Sequence, residues 1–144
     1  MGQIGTKQRL YDSALVLEDG TAGAKSSSPF SYSTILDVGT GRIEGDCVLD
    51  IAALDITSND ELYRFVVQGS DSATFAGVEE ELGTLVIGAK EVTESDNDSL
   101  PGRYFIPFDN VKGSSVYRYI RLRCVAQGTT FSYNVGLAYL TPRK

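Results

Sequence analysis

The sequence predicts an all-β fold, an antiparallel β-sandwich, on two observations. The first lies in the last third of the chain, where residues 116–126 and 131–140 form two long strand-like runs joined by Gln127-Gly128-Thr129-Thr130. In the second run Phe131, Tyr133, Val135, Leu137 and Tyr139 fall on one face, and Ser132, Asn134, Gly136 and Ala138 on the other. That is the two-residue period of a half-buried strand. The pair reads as a hairpin, and a hairpin this long needs further strands to cover its apolar face. The second observation is that short alternating runs recur along the chain between clusters of Gly, Ser and Asp, with no sustained helical stripe.

Taken in order, residues 1–9 are polar and read as an extended N-terminal arm. Residues 10–18 end in a strand, and Asp19 to Ser28 is a Gly/Ala/Ser loop. Residues 33–38 form a short strand closed by Gly39-Thr40-Gly41. Residues 46–54 put Cys47, Leu49, Ile51 and Ala53 on one face, and residues 60–68 do the same with Tyr63, Phe65 and Val67. Residues 82–87 are a strand, 90–99 an acidic loop, and 103–108 a strand placing Tyr104, Ile106 and Phe108 together. About eight antiparallel strands in one chain suit a jelly roll or a similar sandwich over residues 10–144 better than a parallel sheet.

A chain of 144 residues makes one domain with a self-sufficient core. Its formal charge of −6 and pI of about 4.6 argue against nucleic acid or an anionic membrane as the main partner, since both select clustered Lys and Arg. No apolar run approaches the ~20 residues of a membrane helix. The first residues carry no apolar stretch of signal-peptide length, so production in a cytosol is expected. There is no His, which removes imidazole acid–base chemistry, the Ser-His-Asp and Cys-His arrangements and His-based zinc sites. Cys47 and Cys124 both sit on apolar strand faces and read as buried free thiols.

Several motifs invite a functional reading. Asp71, in Gly69-Ser70-Asp71-Ser72, is expected to shape a turn, with Phe75 folding back to cap an end of the sandwich. Glu79-Glu80-Glu81 reads as a solvated turn or edge. Glu94, Asp96 and Asp98 are spaced like the start of a calcium loop, but its Gly and distal Glu are missing, which favours a solvated or partner-facing loop. Gln3, Lys7 and Arg9 make a polar, partly basic strip suited to an acidic partner, and residues 1–6 also fit the permissive myristoylation pattern. Tyr119, Arg121 and Arg123 share the face opposite Ile120, Leu122 and Cys124. Aromatic and Arg side chains together anchor protein interfaces. The same face also suits sugar stacking, or an ordinary outer sheet face with cross-strand Arg–carboxylate pairs.

Three segments, in this order, carry a resemblance. They are Leu10-Tyr11-Asp12-Ser13-Ala14-Leu15 with Ile35-Leu36-Asp37-Val38-Gly39, then Phe65-Val66-Val67-Gln68-Gly69-Ser70-Asp71, then Arg118-Tyr119-Ile120-Arg121-Leu122 with Val135-Gly136-Leu137. Together they resemble the jelly-roll cement (decoration) proteins of tailed-bacteriophage capsids. The resemblance implies a non-enzymatic structural protein that needs no cofactor. It implies binding to the outer surface of the virion capsid after synthesis in the host cytoplasm. The partners it implies are the major capsid protein and further copies of the chain, as a homodimer or homotrimer on capsid symmetry axes. The competing reading is a carbohydrate-binding jelly-roll module, which needs exposed Trp or Tyr; this chain has no Trp and eight Tyr.

Overall fold

The computed structural model describes residues 15–143. The arm over residues 1–9, with Gln3, Lys7 and Arg9, lies outside the described residues. Alternating β-branched, aromatic and polar residues produce six long strands. These are β5 (Glu44–Leu54), β6 (Leu62–Ser70), β7 (Glu80–Gly88), β8 (Gly102–Asp109), β11 (Tyr119–Gln127) and β12 (Tyr133–Pro142). Six short ones complete the set: β1 (Val16–Glu18), β2 (Ala24–Lys25), β3 (Phe30–Ser31), β4 (Leu36–Asp37), β9 (Val111–Lys112) and β10 (Ser115–Val116). The chain is all-β, with twelve strands among the described residues rather than about eight, because the edge segments break into two-residue pieces and β9–β10 forms a small hairpin of its own. One turn of helix, α1 (Lys90–Thr93), sits in the acidic loop. Four residues are too few to leave a helical stripe in the sequence.

Two antiparallel sheets face each other. One runs β1-β12-β5-β8, with β2 also on β12; the other runs β3-β11-β6-β7, with β4 also on β11. The expected hairpin of the last third is therefore corrected. β11 and β12 lie in different sheets, and the connection between them crosses the sandwich. Each instead pairs with a strand distant in sequence, β11 with β6 and β12 with β5. Alternation identifies a strand but not its hydrogen-bonding neighbour, and a five-residue link spans the ~10 Å between stacked sheets as easily as it turns a hairpin.

The core lies between the sheets. Cys47, Leu49 and Ile51 of β5 and Ile106 and Phe108 of β8 meet Tyr63, Phe65 and Val67 of β6 and Ile120, Leu122 and Cys124 of β11, all at most 5% exposed. Tyr133 of β12 meets Tyr63 and Phe65 of the facing sheet edge-on, with both centroid distances 5.9 Å, the favoured aromatic geometry. Both thiols are free and buried, and burial pushes each up to about 12, so neither is a thiolate near neutrality.

A second correction concerns β12. The predicted inward set holds for Tyr133 and Val135 and then reverses, since Ala138 and Leu140 are fully buried in the core. Tyr139 pairs instead with Val48, which faces away from the core residues Cys47 and Leu49. The pairing register shifts on both sides of Val135, around Gly136. One extra residue in a bulge flips every later side chain to the other face. The crowding at that point falls on the neighbouring loop, where a Cβ on Gly20 would come within 2.7 Å of the Gly136 carbonyl oxygen.

Candidate functional site

The Arg and Tyr residues of β11 sit where the alternation places them, on the outer face of the second sheet. Tyr119, Arg121 and Arg123 are half-buried, and the residues between them are buried in the core. Opposite them on β6 lie Ser70, Gln68 and Val66, and beyond β6 on β7 come Glu81 and Thr84.

The segment between β6 and β7 returns across this face. Phe75, in left-handed backbone at φ 55°, is 5% exposed and lies outside the core cluster. The Arg121 guanidinium stacks 4.2 Å above its ring. Arg121 also donates to Gln68 Oε1 and to Glu79 Oε2, each at 2.8 Å, while Arg123 reaches Glu79 Oε1 at 3.4 Å. Phe75 thus packs on a sheet face and not over an end of the sandwich. The turn leading to it is held by the hydroxyls of Ser70 and Ser72, which accept the amides of Ser72, Thr74 and Ala76, and not by Asp71.

Each carboxylate of the Glu run finds a different cation. Glu79 takes Arg121 and Arg123, Glu80 takes Lys112 at 3.3 Å, and Glu81 takes Arg64 at 2.7 Å. The Arg64 side chain holds the Glu81 carboxyl below the usual range. Val66 points outward from β6 yet is only 2% exposed. It lines a depression of ≈ 220 Å³ walled by Arg64, Arg123, Glu79 and Glu81. Long charged side chains shelter apolar surface in this way through their methylene stems. Arg118, one residue before β11, forms a two-pronged pair with Asp37 of β4 at 2.8 and 2.9 Å. That contact holds the Asp37 carboxyl well below its ordinary range.

The sheet face is therefore a closed network of Arg–carboxylate pairs with one aromatic ring locked beneath an Arg. Of the three sequence readings of this face, the cross-strand ion-pair arrangement describes its internal geometry. A partner would meet Glu79, Glu81, Arg64 and Arg123 together as a neutralised polar patch. Phe75 and Glu79 are the residues that sequence reasoning missed here, because no strand period relates a loop residue to a sheet face it folds over.

In the acidic loop, Asp98 accepts the amide of Lys90 at the start of α1 at 2.8 Å. Among the described residues no group of three or more His, Cys, Asp or Glu side chains gathers as a metal site. Among the described residues no helix is long and apolar enough to cross a membrane.

Comparison with known proteins returns no match to a family model, a curated protein or a solved structure.

Arg121→Ala is expected to lower stability by roughly 1–2 kcal/mol, since the residue makes a partly buried ion pair, a hydrogen bond and a cation–π contact. The loss should be local. Hydrogen exchange of the 71–79 amides should quicken while that of β5 and β12 stays slow. Arg123→Ala, with one longer contact, should be close to neutral. Equal protection of the 71–79 amides in both variants would remove Arg121 as the clasp.

Proposed function

We propose that this protein is a structural capsid cement protein, which binds the outer surface of a tailed-phage shell and bridges neighbouring major capsid subunits. The observation that carries the reading is the strand order. With β3 and β4 counted as one broken strand, and β2, β9 and β10 set aside, the principal strands pair from the chain ends inward. β1 pairs with β12, β3/β4 with β11, β5 with β8 and β6 with β7. This is the pattern of one long antiparallel ribbon folded over on itself, and it supports a jelly roll. Of the three segments resembling cement proteins, residues 10–14 lie outside the described residues; the rest fall around β4, along β6 and on the β11 and β12 strands of this ribbon. The alternative, a carbohydrate-binding module, is weakened by the tyrosines. Among the described residues none is exposed; Tyr32, Tyr63, Tyr117, Tyr133 and Tyr139 are buried and Tyr104 and Tyr119 half-buried, leaving no open tyrosine ring for a sugar.

A protein that binds the intact shell and not its dissociated subunits stabilises the shell by mass action, and several weak contacts per oligomer reinforce one another. The test is co-sedimentation with shells assembled from the major capsid protein of the phage that encodes this chain. Saturable binding and a higher shell disruption temperature are expected. No binding to those shells, together with retention on a glycan array, would replace this reading by the carbohydrate one.

A further inference from the structure

The outer face of the β1-β12-β5-β8 sheet carries an apolar row that runs from one edge to the other. Val16 of β1 pairs with Tyr139 of β12, Tyr139 with Val48 of β5, and Val48 with Phe105 of β8. Residues directly opposite each other in an antiparallel pair share a face. This one is turned away from the core, because Cys47, Leu49 and Ile106 beside the row point inward. The neighbouring rows of the same face hold Thr141, Asp46 and Pro107 on one side and Leu137, Asp50 and Arg103 on the other.

The row is sheltered although it faces outward. Val48 is 1% exposed and Tyr139 4%, and Asp46 and Thr141 beside them are buried too; Phe105, on the β8 edge, is 42% exposed. Outward side chains stand roughly perpendicular to a sheet, so strand neighbours can wall a tyrosine ring but not roof it. On the other sheet a roof is visible, where Phe75 returns across the face beneath Arg121. Here the described elements outside the two sheets, α1 and the β9–β10 hairpin, pack against β7 of the opposite sheet. The described chain begins at Leu15, one residue before Val16, so the fourteen residues that precede it start at the edge of this same face. Fully extended they reach about 45 Å, against roughly 15 Å across four strands. They include the apolar Ile4, Leu10 and Tyr11, and the basic Lys7 and Arg9 against a single acid, Asp12, in a chain whose formal charge is −6.

We propose that residues 1–14 of the same chain form a strap across this face, laying Ile4, Leu10 and Tyr11 on the row of Val16, Tyr139, Val48 and Phe105. Lys7 and Arg9 come to the acidic rows beside it. Asp46 already accepts from Arg143, and Asp50 from Arg103. A carboxylate has about four lone-pair sites, so each can take a second cation. The acidic partner that suits the strip of Gln3, Lys7 and Arg9 is then a surface of its own chain. The strap stands independently of the capsid reading.

Lys7 and Arg9 are themselves the reporters, because trypsin cuts after each. The full chain is digested and the loss of residues 1–7 and 1–9 is followed by intact mass, beside a synthetic peptide of residues 1–14. Release from the folded chain should be at least about tenfold slower than from the peptide, since the protease acts only on the lifted strap. Phe105→Ser changes the outer face without touching the core. It should keep the native circular dichroism spectrum and bring the rate close to that of the peptide. Should it not fold, Val48→Ala on the same row should speed release in its place. Arg123→Ala, on the outer face of the other sheet, should leave the rate at the wild-type value. Wild-type cleavage as fast as that of the peptide, or a rate unchanged by both row variants, overturns the proposal. So does protection that grows with protein concentration together with a dimer mass in sedimentation, which gives the face to a second copy.

Discussion

Phe65→Ala is expected to reduce the unfolding free energy by about 3–5 kcal/mol, the range for truncating a fully buried aromatic ring. Phe65 is 0% exposed on β6, in the middle of the facing sheet surfaces, and its ring meets Tyr133 of the opposite sheet at 5.9 Å. The neighbours that would have to collapse into the space are strands pinned on both sides. β6 pairs with β11 over its whole length and with β7 on its other edge, so the backbone has little freedom to close the cavity. The loss should lower the melting temperature by roughly 6–20 °C in a chain of this length. Val66→Ala is the internal comparison. Val66 is as hidden as its neighbour but points outward under charged side chains, so water and mobile stems fill the gap and the effect should be smaller. If chemical denaturation gave the two variants equal losses, the sheets would not be packed through Phe65.

The different fates of Phe65 and Val66 show what alternation carries. For β6, β8 and β11, and for β5 as far as Ile51, the polar–apolar period was sufficient to name the inward residues; beyond Ile51 the pairing of β5 with β12 shifts, so that Ala53, expected inward, is exposed and Leu54 packs on the core. It failed at β12, where the bulge around Gly136 adds a residue and inverts the pattern; Leu137 and Tyr139 looked inward by the same rule that correctly placed Tyr133 and Val135. It also failed for the partner of β11. Nearness along the chain favoured β12, yet the pairing went to β6, whose contribution depends on contacts between residues 49 to 65 positions apart. On the candidate face, the period found Tyr119, Arg121 and Arg123 but not Phe75 or Glu79, which reach it by a loop. The turn at Glu18 was less legible still. Glu18 reads in sequence as the last residue of an ordinary edge strand before an Asp-Gly turn, yet it is 8% exposed and the turn curls two amides onto one of its carboxylate oxygens.

Gly83→Ala is the second large effect, expected at about 1–3 kcal/mol by overpacking. Gly83 lies on β7, at one edge of its sheet, directly against β8, the edge of the other sheet. A Cβ there would overlap the Pro107 carbonyl oxygen and would come within 3.1 Å of Ile106 Cγ2 and 3.3 Å of Phe108 Cβ. The obstacle is backbone and core rather than a flexible tip, so relief requires β8 to move. Pro107 suits this position, since it has no N–H to offer a further strand, and the two sheet edges meet without extending either ladder. Gly41→Ala is the control, because a Cβ at Gly41 meets nothing within 4 Å. Hydrogen exchange in the Gly83→Ala variant should quicken in β7 and β8, while that of β12, towards the opposite edge of its sheet, should stay slow. Melting temperatures for the two alanine variants that agree within about a degree would mean the β7 and β8 edges are not in contact.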